Sequence, residues 1–385
     1  MANPIRVFWR RISDGLAIEQ LWSHFRLEAR ASYELYSKEV DATLPVAESR
    51  WTQSLQVCRV LFWAMLTKLS PGRRVVLLIS LVLLAVPIFT FRYQGLTFWG
   101  GAGLLMLLAL ELADRVMMKR DIEIAREIQN WMMPAAPPAI AGVDIAFASR
   151  AANTVAGDYH DAFFRPIAGA SGQRSSAPER PERLLLVVAD VAGKSVPAAL
   201  LMATMQASLR TLAGLPTSLL ELVGCLNQYV CAQNVGGCRF TTAFLGELEP
   251  ATGRLTYVNA GHNWPVIRRS TGAIERLEIG GLPLGISPKA RYECGNITLA
   301  AGDLLLIFTD GLVEAEDEKE EEFGEPRMLA IADTVLGKSA AETLSQLMAA
   351  VDAFVGLARQ HDDITCMVLR FQRMPDVPSL GLNDR

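Results

Sequence analysis

The sequence predicts an α+β fold with largely antiparallel sheets, preceded by two long apolar helices. Three observations predict this arrangement. Beyond residue 140, short strand-like runs come in bursts and do not alternate strictly with helical stretches. Residues 75–91 and 96–110 contain no charged side chain. A proline-rich segment, residues 133–138, separates these two parts of the chain, because proline cannot continue a helix.

Composition limits the class of protein. The chain has 385 residues, of which 51% are apolar, with a formal net charge of −4. This charge balance argues against a strongly basic nucleic-acid-binding surface, so we expect no nucleic-acid partner. The six cysteines show no C-x-x-C pairing, and we interpret them as reduced thiols in a cytosolic domain.

Residues 1–70 are predicted to form an N-terminal helical cytoplasmic region. Aromatic and basic side chains are mixed there without a regular stripe, which leaves open a membrane-surface segment or a small packed helical unit. Residues 1–74 carry eleven Lys or Arg and seven Asp or Glu. A basic leader before a hydrophobic block is typical of attachment at an anionic cytoplasmic membrane face.

Residues 71–112 are predicted to form a two-helix transmembrane hairpin. Each apolar run is slightly shorter than the ~20 residues that span a hydrocarbon core, but flanking residues extend both. Arg73 and Arg74 precede the pair, and Arg115 and Lys119 follow it. The positive-inside rule then places both flanks in the cytoplasm, at the inner (cytoplasmic) membrane. Two core helices of a soluble protein are the alternative.

Residues 113–134 are predicted to form an amphipathic linker helix. Apolar side chains recur there at helical spacing, among them Ile122 and Ile128. The helix is long enough to pair with a second copy as a short coiled coil, which predicts a homodimer. A solvated connector is the alternative.

Residues 140–373 are predicted to form the α+β domain, and residues 374–385 a flexible tail. Predicted strands occupy residues 143–150, 184–190, 239–248, 254–259, 263–268, 303–309 and 364–371. Predicted helices occupy residues 196–213, 217–234 and 339–357. The polar segment 169–183 is interpreted as a hairpin loop, and the acidic segment 314–325 as a surface loop.

Four aspartate clusters stand at the edges of the predicted strands. They comprise Asp158 and Asp161 in GDYHD, Asp190 at the end of LLLVVAD, Asp310 at the end of LLLIFTD, and Asp362 and Asp363 before ITCMVLR. A carboxylate at the tip of a buried strand is costly unless a positive group meets it. For any single cluster, the cap of a turn is the simpler interpretation.

Several such carboxylates together would favour a metal centre. Two carboxylates about 4 Å apart repel each other by ~4 kcal/mol at an effective dielectric constant near 20. A divalent cation between them removes that cost. Oxygen ligands without Cys or paired His favour Mg²⁺ or Mn²⁺ over zinc. Spacing alone does not show that the clusters converge.

Nine stretches carry a resemblance to a known family. They are EIAREIQNWMMP, VAGDYHD, VVADVAGKSVPAALLMA, RFTTAFLGELE, LTYVNAGHNWPVI, GGLPLGI, GDLLLIFTDGLVEAED, FGEPRM and QHDDITCMVL. In this order and spacing, residues 113–371 resemble the SpoIIE-type bacterial branch of the PPM family of metal-dependent protein serine/threonine phosphatases. The resemblance implies a β-sandwich of two antiparallel sheets flanked by helices, with two Mn²⁺ or Mg²⁺ ions at one edge.

The resemblance also implies a role for each aspartate. Asp190 matches the acid shared between the two metals, with the carbonyl of Val191 assisting. Asp158, Asp310 and Asp362 match the other ligands. Asp161 and Asp363 are second choices, as ligands or in the outer shell.

The implied chemistry is attack by a metal-activated water on phosphoserine or phosphothreonine. The general acid is unassigned, and His160 is a weak candidate. His262, in NAGHN, is expected to hydrogen-bond its turn. Ser195 stands where the family usually has Gly, so the loop next to the metals is expected to differ there. Arg150, Arg210 and Arg239 are interpreted as members of ordinary surface ion pairs.

The resemblance also implies a phosphorylated regulatory partner, because substrates in this branch are often anti-anti-sigma factors of the small STAS-type fold. The predicted function is therefore a membrane-anchored phosphatase in bacterial partner-switching signalling, with its catalytic domain in the cytoplasm. The alternative is a catalytically inactive, phosphatase-like binding module in such a complex. A two-metal nucleotide phosphatase is disfavoured, because no G-x-x-x-x-G-K phosphate loop is present.

Overall fold

A computed structural model describes residues 62–63, 66–90, 95–166, 182–193, 195–233, 239–335 and 337–372. The predicted N-terminal region, apart from its last few residues, and the predicted C-terminal tail lie outside the described residues. The chain divides into two compact units, Met1–Met117 and Met118–Arg385.

The first unit contains the two predicted apolar helices. Helix α1 spans Pro71–Thr90, and helix α2 spans Gly95–Met132 and continues into the second unit. Within the described residues, these two helices are long and apolar enough to cross a membrane by length and composition. The hairpin turn predicted at residues 92–95 lies almost entirely outside the described residues.

Small residues let α1 and α2 approach each other closely. A Cβ atom at Gly100 would lie 2.9 Å from the backbone carbonyl oxygen of Ser80, so a larger residue there would push the two helices apart. Close packing through small residues is typical of helix pairs in lipid. At one end of the pair, Arg73 Nη1 lies 3.3 Å from a Glu111 carboxylate oxygen and 2.5 Å from one of Asp114.

The second unit contains all of the strands of the described chain. In chain order its elements are β1 (Val143–Arg150), β2 (Tyr159–Pro166), β3 (Glu182–Val191), α3 (Val196–Ala213), α4 (Leu219–Gln233), β4 (Thr241–Glu249), β5 (Arg254–Ala260), β6 (Val266–Arg268), β7 (Ile274–Arg276), β8 (Gly280–Gly281), β9 (Gly295–Thr298), β10 (Leu304–Phe308), α5 (Asp310–Val313), α6 (Gly324–Thr334), α7 (Ala340–Val355) and β11 (Ile364–Phe371).

These strands form two sheets. One sheet has the order β1-β11-β10-β6-β7, and the other has the order β2-β3-β4-β5-β8, with β9 also paired to β5. Every pair is antiparallel except β5 with β8. An apolar core drawn from both sheets lies between them, including Leu186, Phe244, Ile307 and Met367. Interdigitating inner faces are the usual way in which two sheets stack.

Helices cover the outer face of each sheet. Apolar side chains of α3 and α4, such as Met202 and Leu222, pack with β3 residues such as Val187. Met328 of α6 and Leu347 of α7 belong to the cluster on the other sheet. The predicted β-sandwich of two largely antiparallel sheets flanked by helices is therefore confirmed.

Some elements were not predicted from the sequence. Strand β2 was missed because it carries His160, Asp161 and Arg165 among its apolar residues. Strands β7–β9 were missed because they are only two to four residues long. The predicted strand 263–268 is shortened to Val266–Arg268, since Pro265 precedes it and has no backbone N–H for the sheet. Helix α6 was also missed, and it begins within the predicted acidic loop.

Candidate metal centre

Strand ends and loops bring the four aspartate segments to one edge of the sandwich. Asp190 lies near the end of β3, Asp310 follows β10, and Asp362 precedes β11. Because β10 and β11 are antiparallel neighbours, the end of one meets the start of the other. Asp158 directly precedes β2, which pairs with β3 so that Tyr159 stands opposite Ala189.

Two glycines, Gly157 and Gly311, allow the aspartate-bearing segments to approach one another closely. A Cβ atom at Gly157 would lie 3.2 Å from the carbonyl oxygen of Val191. A Cβ atom at Gly311 would lie only 2.1 Å from the carbonyl oxygen of Asp363. Any larger residue at position 311 would therefore push the segment after Asp310 away from the segment that carries Asp362.

The negative charges of these carboxylates interact strongly with one another. Asp158 is 1% exposed, and burial, followed by the negative charge of Asp190, raises its pKa well above the usual range. Burial, together with the charges of Asp310, Asp362 and Asp363, raises the pKa of Asp190 to about 7. Mutual repulsion of this kind is what a bound cation would relieve.

Thr309 joins two of the segments. Its hydroxyl donates to Asp158 Oδ2 at 2.9 Å, and it accepts from the backbone N–H of Thr365 at 3.0 Å. Thr309 is completely buried. Thr309 was not predicted from the sequence, although its position directly before Asp310 was a signal that could have identified it.

Asp363 has a different task from Asp362. One of its carboxylate oxygens accepts from the backbone N–H of Ala152 at 2.7 Å, and the other accepts from that of Gly157 at 2.6 Å. These bonds fix the loop that carries Asp158. The structure therefore favours the outer-shell prediction for Asp363 over direct ligation.

Asp161 does not join the group. Its two oxygens accept from Arg210 Nε and Nη2, both at 2.7 Å, and the Tyr159 hydroxyl donates to it at 2.5 Å. Asp161 is fully buried, so this bidentate partner supplies the positive charge that a buried carboxylate needs. The second-choice prediction of Asp161 as a metal ligand is not supported. Arg210 forms an ion pair, as predicted, but with a fully buried partner and not on the surface. The surface ion pair predicted for Arg150 is confirmed, with Asp352 as its partner.

His160 is poorly suited to be a general acid. Its ring is 5% exposed and packs 4.5 Å from the Phe147 ring, centroid to centroid. Burial lowers its pKa to about 4, so the charged form that donates a proton readily is scarce near neutral pH. The structure does not support the weak prediction that His160 protonates a leaving group.

The last turns of α2 hold the Asp158 loop from a second side. The side-chain amide of Gln129 donates to the carbonyl of Ala156 at 2.7 Å and accepts from the N–H of Ala156 at 3.0 Å. Gln206 of α3 also donates to the carbonyl of Met132. Gln129 lies in the stretch EIAREIQNWMMP, but no local pattern there predicts this contact.

The donor set fits hard divalent cations. Asp158, Asp190, Asp310 and Asp362 offer carboxylate oxygens, and Val191 offers a backbone carbonyl, with no thiolate among them. In the described part of the chain, no group of three or more Asp, Glu, His or Cys side chains is arranged closely enough to hold a metal ion as it stands. Ligation by these four aspartates and Val191 therefore stays a prediction.

Comparison with known proteins places this geometry in context. The family model for stage II sporulation protein E (SpoIIE) matches residues 180–372 of the chain. Protein IcfG from Synechocystis is 26% identical over 295 residues, which are 68% of this chain and 43% of IcfG. Phosphoserine phosphatase RsbU from Bacillus subtilis is 28% identical over 257 residues, which are 66% of this chain and 70% of RsbU. The chain thus spans less than half the length of one of these relatives.

Two solved structures share the fold. The SiaA-PP2C domain of Pseudomonas aeruginosa has a TM-score of 0.56 and 18% identity, covering 68% of this chain and 99% of that domain. The RsbU and RsbW domains of a Mycobacterium tuberculosis protein have a TM-score of 0.50 and 23% identity, covering 63% of this chain and 64% of that one. At these identities the likeness concerns the fold alone.

Proposed function

Because this chain belongs to the SpoIIE family, we propose that it is a metal-dependent phosphoserine/phosphothreonine protein phosphatase of bacterial signalling. The observation that carries the proposal is the gathering of Asp158, Asp190, Asp310 and Asp362 at one edge of the sandwich. Burial, and after it the charges of the neighbouring carboxylates, raises the pKa of Asp158 and of Asp190. Keeping one buried and three partly buried acids together is costly without a function that uses them.

Each residue has a defined place in the proposed reaction. Asp190 and the Val191 carbonyl would hold the shared position between two Mn²⁺ or Mg²⁺ ions, with Asp158, Asp310 and Asp362 completing the set. When bound, such ions supply a water acidic enough to attack phosphorus near neutral pH, and positive charge for the phosphoryl oxygens. Asp363 and Thr309 would keep Asp158 in position through their hydrogen bonds.

The proposed substrate is a phosphorylated regulatory protein, of the anti-anti-sigma, STAS-like class. Support comes from the similarity to RsbU, a phosphoserine phosphatase, and from the shared fold with a protein that contains RsbU and RsbW domains. We further propose that α1 and the first part of α2 anchor the protein in the inner membrane as a hairpin, with the catalytic domain in the cytoplasm. Their exposed apolar side chains, such as Ile79 and Leu105, support this placement.

The linker part of α2 is proposed to pair with a second copy of the chain. Ile124, Ile128 and Trp131 are exposed and follow one another at spacings of four and three residues, which places them on one face of the helix. Trp131 is 81% exposed. An apolar stripe of this kind is buried when two helices associate as a homodimer.

The decisive experiment is phosphate release from a phosphoserine protein and from a small aryl phosphate by the full-length chain. We expect activity with Mn²⁺ or Mg²⁺, loss of activity with a chelator, and loss in Asp310→Asn. Asp333→Asn is the matched control, because Asp333 is an exposed aspartate that pairs with Arg268 outside the cluster. Activity that survives both the chelator and Asp310→Asn would refute the proposal. A folded chain that binds its phosphoprotein without hydrolysis would favour the inactive binding module instead.

A further inference from the structure

The loop that crosses from one sheet to the other contains a buried histidine. Residues 261–265 connect β5 of one sheet to β6 of the other, and His262 in this loop is 4% exposed. Asn259 holds the backbone of the loop: its carboxamide oxygen accepts from the His262 N–H at 2.7 Å, and its amide donates to the His262 carbonyl at 3.0 Å. The turn is therefore closed by hydrogen bonds between the Asn259 side chain and the His262 backbone, which leaves the His262 ring for other contacts.

One ring nitrogen points to the strand beside Asp190. His262 Nδ1 lies 3.0 Å from the Thr242 hydroxyl. Thr242 of β4 stands directly opposite Asp190 of β3 in the antiparallel register. Side chains of opposite residues lie on the same face of a sheet, with Cβ atoms about 4.5–5.5 Å apart. Thr242 is thus an immediate neighbour of the Asp190 side chain.

The other ring nitrogen faces the second sheet. His262 Nε2 is enclosed without a hydrogen bond of normal geometry. The carbonyl of Phe308 favours the protonated ring, although burial outweighs this effect and lowers the pKa of His262 to about 4. Phe308 ends β10, two residues before Asp310. The neutral ring therefore lies between the strand end that carries Asp190 and the one that carries Asp310.

We propose that His262 is a positioning residue that, together with Thr242, sets the distance between Asp190 and Asp310 and thereby the affinity for divalent metal. The inference rests on the proposed function. It adds two residues that influence metal affinity, and neither lies in a strand that leads to one of the proposed metal-binding aspartates. A rigid ring packed between two sheets resists their relative movement. Because the ring is hydrogen-bonded to the hydroxyl of Thr242, and Thr242 lies beside Asp190, the ring also restricts the position of Asp190.

The test measures Mn²⁺ binding directly, by calorimetry, on the full-length chain and on Thr242→Val, His262→Asn and His262→Leu. Thr242→Val keeps the shape and removes the hydroxyl. His262→Asn keeps a polar group near Thr242, so it should bind Mn²⁺ better than His262→Leu does. We expect binding to weaken by roughly 10- to 100-fold in Thr242→Val and His262→Leu. The KM for the phosphoprotein should change less, because neither residue is proposed to touch it.

Two comparisons make the result specific. The double variant Thr242→Val/His262→Leu should bind Mn²⁺ about as weakly as the weaker single variant, because the two residues act in one chain of contacts. Thr256→Val is the matched control: it removes a hydroxyl of β5 that donates to Asn296 at 2.8 Å, and it should leave Mn²⁺ binding unchanged.

The possible failures can be told apart. If the wild-type chain binds Mn²⁺ and hydrolyses its substrate while folded Thr242→Val binds Mn²⁺ equally well, only the role of His262 and Thr242 is overturned. If the wild-type chain binds no divalent metal, the proposed function fails and this inference with it. If the His262 variants lose their circular dichroism signal, Thr242→Val, which keeps the ring, decides the outcome.

Discussion

The two hydrogen bonds between the Gln129 side chain and the Ala156 backbone, called the Gln129 clasp below, give the most specific prediction. In Gln129→Leu both hydrogen bonds to Ala156 are lost, at 2.7 and 3.0 Å. Each such bond contributes about 0.5–1.5 kcal/mol net, so the placement of the Asp158 loop loses about 1–3 kcal/mol. Since 1.4 kcal/mol is a factor of ten, the equilibrium between the placed and displaced loop shifts by roughly 5- to 150-fold.

This shift should appear as a change in metal requirement. Displacing the loop moves Asp158, so the Mn²⁺ concentration for half-maximal phosphate release should rise about tenfold, while activity at saturating Mn²⁺ falls much less. Gln129→Glu keeps an acceptor for the Ala156 N–H and should be intermediate. Asn130→Leu, on the exposed neighbouring residue, is the matched control. A folded Gln129→Leu variant with an unchanged Mn²⁺ dependence would show that the clasp does not position Asp158.

Three further predictions concern the strain, the charge and the assembly of the protein. Ser195 has a φ of 68°, in the region that favours glycine, so Ser195→Gly should raise the free energy of unfolding by about 1 kcal/mol in chemical denaturation. A loss of stability would contradict this. Burial and the neighbouring carboxylates raise the pKa of Asp190 from 3.8 to about 7 on folding, so the metal-free chain should lose stability as pH rises from about 4 to about 8. Mn²⁺ should abolish that loss, and a pH-independent melting temperature without metal would refute the reasoning. Replacing Ile124 or Ile128 with Asp should reduce dimer mass in light scattering and alter turnover, whereas Asn130→Asp, which adds the same charge on the same helix, should do neither. Unchanged mass and turnover in the isoleucine variants would exclude the paired linker.

The strand-end aspartates of the candidate site have strong local signals in the sequence. An aspartate at the end of an apolar strand is visible in LLLVVAD and LLLIFTD without any structure. The apolar helices and the long strands of the sandwich were equally visible through their length and periodicity. The short strands β7–β9 were not, since runs of two to four residues have no periodicity to detect.

The roles of neighbouring acids were harder to predict. Asp158 and Asp161 are three residues apart, and the structure gives them different partners, Thr309 and Arg210. Successive side chains of an extended strand point to opposite faces, so an odd spacing separates them. Asp362 and Asp363 are adjacent in the chain just before β11, yet it is Asp363 that accepts from the backbone N–H groups of Ala152 and Gly157. The spacing of Asp158 and Asp161 is visible in the sequence. The sequence does not show which of the two pairs with Arg210, which lies 49 residues after Asp161.

The sequence by itself determined the fold class, the two long apolar helices and the identity of the acids at the strand ends, because each depends on residues close together in the chain. Only the tertiary structure decided which acids share one edge, which one Arg210 neutralises, and which side chains hold the Asp158 loop. Those outcomes depend on distances between residues far apart in sequence, such as Asp363 to Gly157 and Thr309 to Asp158. Such distances are set by how the two sheets and their helices pack, and no local pattern encodes them.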